Sequence, residues 1–267
     1  MYVTLEPCCH YGHQPPCTEA ILNVGIKRVV VGSGDPNPLV SGRGIQILRE
    51  HGIEVTEHIL EDECTRLNEV FFHYIQTKRP FVVMKYAMTL DGKIATYTGA
   101  SKWVTGEQAR NHVQEQRHRY TGIMVGVGTV LADDPLLTCR KAGCKNPIRI
   151  ICDTDLRTPL TAQVVTTAKQ APTILVTCCA DREKWTGILL EGGGTLNWAA
   201  LESGIVQKVQ AYIAPKLFGG QTAKTPVEGA GVPLPDCAFQ LKNMVITQLG
   251  EDILLESEVA SHVHRDC

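Results

Sequence analysis

The sequence lacks any apolar run of the roughly 20 residues that a membrane-spanning helix needs. Its first residues lack the basic stretch and apolar core of a secretory signal. It also lacks an excess of either charge, because 26 basic and 28 acidic residues give a net charge of −2 and the basic residues are scattered. These absences predict a cytoplasmic globular protein that binds neither membrane nor nucleic acid.

A complete dinucleotide-binding fingerprint is missing as well. Gly126 and Gly128 are not followed by a third glycine, and no acidic residue lies about 20 positions further on, so a Rossmann site is not expected. Two glycine bends remain, one at Gly126 and one where the apolar run Ile188–Glu191 enters Gly192–Gly194, before a helical pattern that starts at Thr195. Such glycines are either simple turns or allow backbone N–H groups and a helix N-terminus to approach a nucleotide phosphate.

Cysteine, in contrast, is abundant, with 11 residues. In a reducing compartment these residues are predicted to be thiols or metal ligands rather than disulfides. Most lie in apolar surroundings and are interpreted as small core residues, among them Cys64, Cys152, Cys178 and Cys179. Only the cysteines in the segment from Glu6 to Cys17 have neighbours that favour chemistry.

That segment combines one glycine and three prolines with five potential metal ligands: Cys8, Cys9, His10, His13 and Cys17. Zinc binds thiolates and imidazoles in a tetrahedron. Cys17 also opens a helical pattern, Thr18–Val24, with Gly25 as the expected C-cap, and a helix N-terminus favours the thiolate that a metal needs. The composition therefore predicts a rigid loop that can hold a metal.

The following segments alternate between strand and helix patterns. Strands are predicted at Lys27–Val31 and Ile53–Val55, with a helix at Ile45–Glu50 between them, and this alternation favours a layered α/β domain. A packing face of a further helix is predicted from residues at helical spacing: Cys64, Leu67, Val70, Phe71 and Tyr74. The basic, proline-closed stretch Gln76–Pro80 is the predicted domain boundary.

The pattern changes after this boundary. Phe81–Ala87 predicts a strand interrupted by Lys85, which either reaches the surface or faces a ligand. Thr105 and Gln108 predict a capping box for a helix that runs to about Tyr120, on which Arg117 is either a solvated charge or a phosphate ligand. Later strands are predicted at Val206–Ile213, Phe239–Leu249 and Asp252–Glu256, with a polar loop at Gln221–Pro235 and a disordered tail at 260–267.

Taken in order, these features resemble the bifunctional deaminase/reductase family of riboflavin biosynthesis. The matching elements of the first half are Pro7-Cys8, His10, Gly12, Pro15-Pro16-Cys17 and Asp35-Pro36-Asn37-Pro38, the last of which is otherwise a simple turn. Those of the second half are Lys85, Asp91-Gly92, Ser101-x-Trp103, Arg117, Thr129, Asp133-Asp134-Pro135, Arg140, Glu191 with the glycine run, and Ala214-Pro215-Lys216. The resemblance implies an α/β protein with a partial cytidine-deaminase-like domain, the pyrimidine deaminase, at residues 1–79 and a dihydrofolate-reductase-like reductase domain at residues 80–259.

The family reductase moves a hydride from NADPH to the ribosyl carbon of 5-amino-6-(5-phosphoribosylamino)uracil, which opens the sugar to a ribityl chain. The resemblance implies the catalytic residues Lys85, Asp133 and Glu191. It implies cofactor contacts at Ala87, Trp103, Thr129, Asp133, Thr154, Gly193, Gly194 and Thr195, in a run that continues to Ala199. It implies substrate contacts at Ser101, Arg117, Leu137, Arg140 and Glu191. It further implies zinc ligands at Cys8 and Cys17, and a homodimer formed through the reductase domain.

The residue chemistry fits these roles. Two arginines, Arg117 and Arg140, can grip the ribose phosphate through forked, charge-assisted hydrogen bonds. A lysine and a carboxylate, Lys85 and Asp133, can hold and relay the proton that accompanies the hydride if they face each other in a dry site. The cofactor carries the hydride itself, so the protein orients and polarises.

The sequence departs from the family pattern in two places. The His-x-Glu motif, which supplies the third zinc ligand and the proton-shuttling glutamate, has no counterpart in this chain, so we expect the deaminase activity to be lost. A zinc site completed by His10 or His13 would be structural or incidental. In the second half, only Thr177–Gly187 stands where the family carries a helix, a strand and another helix, which predicts an uncovered sheet edge and lower stability. The rival hypothesis is a catalytically inactive truncated protein that binds nucleotide or zinc, or pairs with a complete subunit.

Overall fold

The computed structural model describes residues 1–12, 14–177 and 185–260. The chain divides into two compact units between Pro80 and Phe81, one residue from the predicted boundary. None of the helices in these ranges is long and apolar enough to cross a membrane. Residues 261–267 of the tail predicted at 260–267, and most of the shortened stretch, at 178–184, lie outside the described residues.

The first unit has a three-stranded parallel sheet with helices between its strands. Its elements are β1 (Tyr2–Leu5), α1 (Cys17–Val24), β2 (Arg28–Ser33), α2 (Arg43–Glu50), β3 (Glu54–Thr56), α3 (Glu61–Leu67) and α4 (Glu69–Thr77), and the strand order is β1-β2-β3. Gly25 caps α1 in the left-handed conformation, with φ of 72°, as the sequence predicts. The core of the unit is formed by Ile21, Val29, Val31, Ile45, Leu48 and Ile53.

The packing face predicted across Cys64 to Tyr74 is wrong in its extent. The helix breaks at Asn68, whose side-chain amide donates to the Cys64 carbonyl at 2.8 Å, so two helices replace one. Cys64 is buried, whereas Leu67 and Phe71 are 68% and 38% exposed. The break at Asn68 interrupts the single stripe that the spacing predicts.

The second unit has one eight-stranded sheet. Its elements are β4 (Phe81–Thr89), α5 (Glu107–Arg119), β5 (Gly122–Gly126), α6 (Val127–Asp133), β6 (Ile148–Cys152), α7 (Gln163–Thr166), β7 (Thr173–Val176), β8 (Gly187–Leu190), α8 (Gly194–Glu202), β9 (Val206–Ala214), a 3₁₀ turn (Pro235–Cys237), β10 (Leu241–Leu249) and β11 (Asp252–Val259). The strand order is β10-β11-β9-β4-β8-β5-β6-β7, with β11 antiparallel to both of its neighbours and all other pairs parallel. The predicted closing antiparallel pair is therefore β10 and β11.

The capping box predicted at the start of α5 does not form. The N-cap is Gly106, with no side-chain cap, and its N–H donates to the Asp252 carboxylate at 2.6 Å. Asp252 lies at the start of β11 and is buried. A carboxylate from a distant strand thus accepts an N–H at this helix start in place of the predicted local box, and it complements the positive end of the helix.

The shortened stretch lies between β7 and β8, and it does not open the centre of the sheet. β8 is paired on both sides, with β4 and with β5, while β7 pairs with β6 at the end of the strand order. The unpaired backbone groups expected from the shortening therefore belong to the edge strand β7 within the described sheet. Edge strands expose such groups without the cost of burying them.

The described cysteines follow the prediction with one exception. Seven are free thiols, of which Cys64 is buried and Cys152 is half-buried, in agreement with the prediction of thiols in apolar surroundings. Cys178 and Cys179 lie outside the described residues. Cys237 is disulfide-bonded, so the prediction that cysteines form no bridges is wrong at this position.

Candidate active site

One cavity of about 320 Å³ lies in the second unit, and β4, α5, α6 and the bend after β8 contribute its walls. It is lined by most of the predicted site residues: Lys85, Ala87, Ser101, Trp103, Arg117, Thr129, Asp133, Leu137, Arg140, Glu191 and Gly193. Thr154, Gly194 and Thr195 do not line it. The structure thus brings together residues that lie up to about a hundred positions apart along the chain.

Sheet register places Lys85 beside Glu191. Leu190 of β8 lies opposite Met84 of β4 on one side and Met124 of β5 on the other. Met84 and Leu190 are buried in the core, with Met124 packed against them. Because successive side chains of a strand alternate between faces, the next row, with Lys85 and Glu191, points to the opposite face, where the cavity lies.

Glu191 accepts hydrogen bonds from two cations. Arg117 holds it with two bonds, Nε to Oε1 at 2.8 Å and Nη2 to Oε2 at 3.0 Å, and Lys85 Nζ donates to Oε2 at 3.4 Å. All three side chains are nearly buried, at 11 to 13% exposure. The remaining Nη1 of Arg117 donates to the Thr138 carbonyl at 3.1 Å, which fixes the guanidinium between α5 and the loop after α6. The bidentate geometry makes the cluster directional.

This cluster keeps the carboxylate ionised. Burial by itself raises the pKa of Glu191, but the charges of Arg117 and Lys85 outweigh burial and lower the pKa to about 2. The pKa of Arg117 is lowered by burial but raised overall by Glu191. At neutral pH the site therefore holds two cations and one anion, so that one positive charge remains in a largely dry pocket.

Lys85 also lies over an aromatic ring that the sequence did not single out. Its Nζ is 5.7 Å from the ring centroid of Tyr212 on β9, a favourable distance for a cation–π contact. The Tyr212 hydroxyl shares a 2.8 Å hydrogen bond with Nδ1 of His112 on α5, and burial raises the pKa of this phenol. The lysine ammonium therefore contacts both a carboxylate and the ring of a neutral phenol.

Asp133 lies at the exposed rim of the cavity. It lies one helical turn after Thr129 on α6, and both side chains line the cavity. Asp133 is exposed, so it lies at the rim of the cavity, and its predicted pairing with Lys85 stays a prediction. The buried carboxylate that contacts Lys85 is Glu191.

The bend after β8 is built from glycines with different constraints. A Cβ on Gly192 would lie 2.9 Å from Asn197 Oδ1, and a Cβ on Gly194 would lie 2.7 Å from the Thr225 carbonyl. A Cβ on Gly193 would meet nothing within 4 Å. Gly192 and Gly193 line the cavity just before α8, so the open backbone at Gly193 forms a cradle at the positive end of a helix.

The other predicted contacts are spread over the periphery. Trp103 is 57% exposed, and Arg110 stacks on its ring at 4.8 Å. Arg140 is exposed at the rim, and Leu137 is buried. Thr154 is exposed in the turn after β6, and Thr195 is exposed on α8, outside the cavity.

Sequence reasoning missed several lining residues on α5. Arg110, Val113 and Gln114 line the cavity together with Arg117. Their spacing of three, four and seven positions places them on one helical face, so the helix period combined with Arg117 was a usable signal. No local signal marked Tyr212, which reaches Lys85 only through the pairing of β4 with β9.

The predicted zinc ligands lie in the first unit. The Cys17 N–H donates to Cys8 Sγ at 3.3 Å, and burial together with the neighbouring Cys8 thiol raises the pKa of Cys17. The two thiols are thus adjacent, as two ligands of one metal ion would be. Among the described residues no group of three or more histidine, cysteine or acidic side chains is placed to hold a metal. His10 is nearby in the loop, with its buried Nδ1 lacking a hydrogen-bond partner.

Glu6, which precedes these cysteines, is a buried carboxylate that organises the unit. It accepts backbone N–H groups of Asp35, Gly42, Gly44 and Ile45 at 2.9 to 3.4 Å. A Cβ on Gly44 would lie 1.9 Å from the Pro7 carbonyl, so this glycine is required for the close approach. The loop that carries Cys8 and Cys17 is therefore anchored to the start of α2.

Comparisons with family models and with known proteins point to the same family. A model of the RibD C-terminal domain matches residues 80–187 and 180–255. The riboflavin biosynthesis protein RibD of Actinobacillus pleuropneumoniae is 51% identical, over 97% of this chain and 78% of its own length. The 294 aligned positions exceed the 267 residues of this chain, so that relative carries residues within the match that this chain lacks. The family match itself divides at 180–187, where the shortened stretch was predicted.

Solved structures agree with the sequence comparison. RibD of Acinetobacter baumannii, form 1, superposes with a TM-score of 0.85 at 35% identity, covering 97% of this chain and 80% of that one. A Thermotoga maritima diaminohydroxyphosphoribosylaminopyrimidine deaminase/5-amino-6-(5-phosphoribosylamino)uracil reductase superposes with a TM-score of 0.80 at 36% identity, covering 97% and 79%. Both similarities extend across the two units of the chain.

Proposed function

The chain belongs to the RibD family of riboflavin-biosynthesis enzymes, and on this premise we propose that its second unit uses NADPH to reduce 5-amino-6-(5-phosphoribosylamino)uracil to the ribitylamino product. The observation that carries the proposal is the buried cluster of Glu191, Arg117 and Lys85 at the floor of the cavity. A glutamate, an arginine and a lysine that contact one another and are shielded from water suit a reaction that needs a polarised substrate and one proton delivered with a hydride.

Lys85 is the proposed proton donor. The hydride is supplied by the bound NADPH and reaches the ribosyl carbon, and the ring oxygen that leaves this carbon must gain a proton. Lys85 Nζ is held between Glu191 and the face of Tyr212, so its remaining hydrogens are free to point into the cavity. Glu191 and Arg117 orient this ammonium and exclude water from it, and they contact the substrate in the proposal.

Asp133 and Arg140 act at the rim. Arg140 is exposed beside the cavity, where its fork can bind the ribose phosphate from solution. Asp133 is proposed to contact the nicotinamide end together with Thr129 and Ala87, rather than to form a dry pair with Lys85. Gly193 and the N-terminus of α8 fit the cofactor phosphates, because the open cradle there admits a ligand close to the backbone.

The test is a single-turnover assay that follows NADPH fluorescence. Addition of the phosphoribosylamino substrate is expected to oxidise NADPH in the wild-type protein and to do so at least tenfold more slowly in Asp133→Asn. The exposed Asp155, which lies in the turn after β6, provides the matched control Asp155→Asn with wild-type rate. NADPH binding without oxidation in the wild type would favour the rival hypothesis, an inactive protein that only binds nucleotide.

We further propose that residues 1–80 do not deaminate a pyrimidine on their own. Cys8 and Cys17 fit two positions of a zinc tetrahedron and would hold the ion there, but the described residues offer no third ligand. Zinc in this position would supply an activated water in a complete site. Metal analysis is expected to find less than one zinc per chain and no deamination, and stoichiometric zinc together with deamination would refute the proposal.

A homodimer through the reductase domain is the proposed assembly. β10 forms one edge of the sheet, and the terminal hairpin exposes large apolar side chains: Leu241, Met244, Val245, Ile246 and Ile253. Such a concentration of apolar groups favours burial against another chain. Sedimentation velocity is expected to show a dimer that Ile246→Asp dissociates and Leu160→Asp, on an exposed loop, does not. A monomeric wild type would end this proposal.

A further inference from the structure

The loop between the cavity and β6 brings two thiols together. The Cys139 N–H donates to Asn146 Oδ1 at 3.0 Å, and the Cys144 N–H donates to the Lys141 carbonyl at 3.3 Å. Gly143 is left-handed, with φ of 76°, which permits the sharp turn between them. These bonds close the segment on itself, so Cys139 and Cys144 lie in one short loop.

Both cysteines are free and half-buried, and they lie within one short loop. Burial, followed by the neighbouring Cys139 thiol, raises the pKa of Cys144. The Cys139 S–H also donates to the Gln114 carbonyl at 3.2 Å. Two neighbouring thiols in a closed loop are the arrangement from which a local disulfide forms with little movement of the backbone.

This loop is directly connected to the proposed substrate site. The Arg140 N–H donates to Gln114 Oε1 at 2.9 Å, and both residues line the cavity. On the other side of Cys139, the Thr138 carbonyl accepts the bond from Arg117 that completes its hold on Glu191. The two cysteines therefore lie on either side of Arg140 in the sequence. Cys139 also follows Thr138, whose carbonyl positions the buried Arg117.

We propose that Cys139 and Cys144 are a modification site that forms a reversible intramolecular disulfide with a low-molecular-weight disulfide such as oxidised glutathione. One cysteine thiolate attacks the small disulfide, giving a mixed disulfide and releasing one small thiolate. The second cysteine thiolate attacks the protein sulfur of the mixed disulfide and releases the other small thiolate. The two cysteines are oxidised, the small disulfide is reduced to two thiols, and these thiols take up the two cysteine protons.

Bridging has a consequence for the cavity. Oxidation removes the S–H that Cys139 donates to the Gln114 carbonyl and tightens the loop around Arg140. Binding of the substrate by Arg140 at the rim is therefore altered, while the buried cluster of Glu191, Arg117 and Lys85 stays in place. This consequence rests on the proposed reductase function, but formation of the disulfide does not.

Peptide mapping of the full-length protein tests the disulfide. The protein is equilibrated with oxidised glutathione, and the exchange is quenched at low pH. The protein is then alkylated and digested with trypsin, which cuts after Arg140, Lys141 and Lys145. A peptide ending at Arg140 linked to Ala142–Lys145 is expected, and it should disappear on reduction. Cys144→Ser is expected to abolish the linked peptide, and the control Cys152→Ser, on β6, is expected to keep it. Absence of the linked peptide from the oxidised wild type, or a bridge from Cys139 to another cysteine, would overturn the proposal.

NADPH oxidation then tests the consequence. Oxidised wild-type protein is expected to show a severalfold higher KM for the phosphoribosylamino substrate with kcat changed less, and Cys144→Ser is expected to lose this sensitivity. An unchanged KM in fully bridged protein would overturn the regulatory consequence. If the reduced protein shows no turnover, the proposed function fails, and the peptide map still decides the disulfide.

Discussion

Among the single residues, Glu191 has the most unusual surroundings. Burial at 11% exposure raises the pKa of this carboxylate, and the charges of Arg117 and Lys85 reverse this effect. The interaction is strongest with Arg117, which makes two bonds and is fixed by a third to the Thr138 carbonyl. Removal of the carboxylate therefore leaves two buried cations facing each other.

We predict that Glu191→Gln lowers the free energy of unfolding at neutral pH by roughly 3 kcal/mol, the value that corresponds to a pKa depressed from 4.5 to about 2. Because the folded-state pKa is the lower one, this stabilisation is present above pH 4.5 and is lost as the pH falls towards 2. Urea unfolding at several pH values checks it. The difference in unfolding free energy between wild type and variant should disappear between pH 4.5 and 2.

The control for this experiment is Glu115→Gln. Glu115 is half-exposed and pairs with Lys141 at 2.6 Å, and exposed pairs contribute about 0 to 1 kcal/mol. An equal loss of stability in both variants, or a gap for Glu191→Gln that does not depend on pH, would contradict the role of the buried cluster.

Sequence reasoning left two interpretations open at Lys85 and at Arg117, and the structure distinguishes them by burial. Both side chains are 13% exposed and face the cavity, so neither is a solvated charge. The sequence could not place Tyr212 under Lys85, since the contact depends on which strands become neighbours. Nor could it separate Asp133 from Glu191 as the partner of Lys85, because an exposed and a buried carboxylate have the same local pattern.

Among the elements, the glycine bend before α8 offers a matched pair of substitutions. Gly194→Ala would place a Cβ 2.7 Å from the Thr225 carbonyl and 2.5 Å from Glu228 Cγ, so we expect a loss of about 1 to 3 kcal/mol of stability. Gly193→Ala has no atom within 4 Å and an ordinary φ of −78°, so we expect stability within about 0.5 kcal/mol of wild type.

The same pair separates folding from binding. The methyl group of Gly193→Ala enters the cavity, so NADPH affinity is expected to fall severalfold in a fluorescence titration. Chemical denaturation supplies the stability values. Wild-type NADPH affinity in Gly193→Ala would remove this bend from the cofactor site, whatever the result for Gly194→Ala.

Strand β6 carries a fully buried arginine that no sequence feature marked. Arg149 donates to the carbonyls of Leu136 and Ala171 and to the Thr167 hydroxyl, and burial lowers its pKa. We predict that Arg149→Met lowers the free energy of unfolding by roughly 2 to 4 kcal/mol, because buried carbonyls lose their donor. The control is Arg157→Met, on the exposed turn after β6, which should unfold like wild type in the same denaturation series. Wild-type stability in Arg149→Met would show that these hydrogen bonds make no net contribution to the free energy of unfolding.

Element prediction succeeded where the pattern was local and failed where a distant residue decided. The strands at Phe81, Val206 and Phe239 follow from apolar runs, and the cap at Gly25 follows from its position after a helix. The start of α5 was predicted at Thr105 but is set by Asp252, which is 146 positions away. A cap from so distant a residue cannot be predicted from the local sequence around the helix start.

Across the whole molecule, the cavity draws all of its lining residues from the second unit. We therefore predict that NADPH slows amide hydrogen exchange in peptides from 122–133 and 187–202 of the full-length protein, since a bound ligand suppresses local opening. Peptides from 28–56 are the internal control and should exchange at the same rate with and without NADPH. Equal protection in both regions, measured by mass spectrometry, would contradict a cofactor site confined to the second unit.

The double pairing of β8 bears on how such a protein tolerates changes in length. Hydrogen bonds to β4 and β5 fix where β8 lies, so residues gained or lost before Gly187 leave the distance between Lys85 and Glu191 unchanged. Evolution can therefore trim the connection ahead of this strand while the reaction centre survives. A single residue inserted between Gly187 and Glu191 would instead turn the carboxylate into the hydrophobic interior, because strand faces alternate at every position.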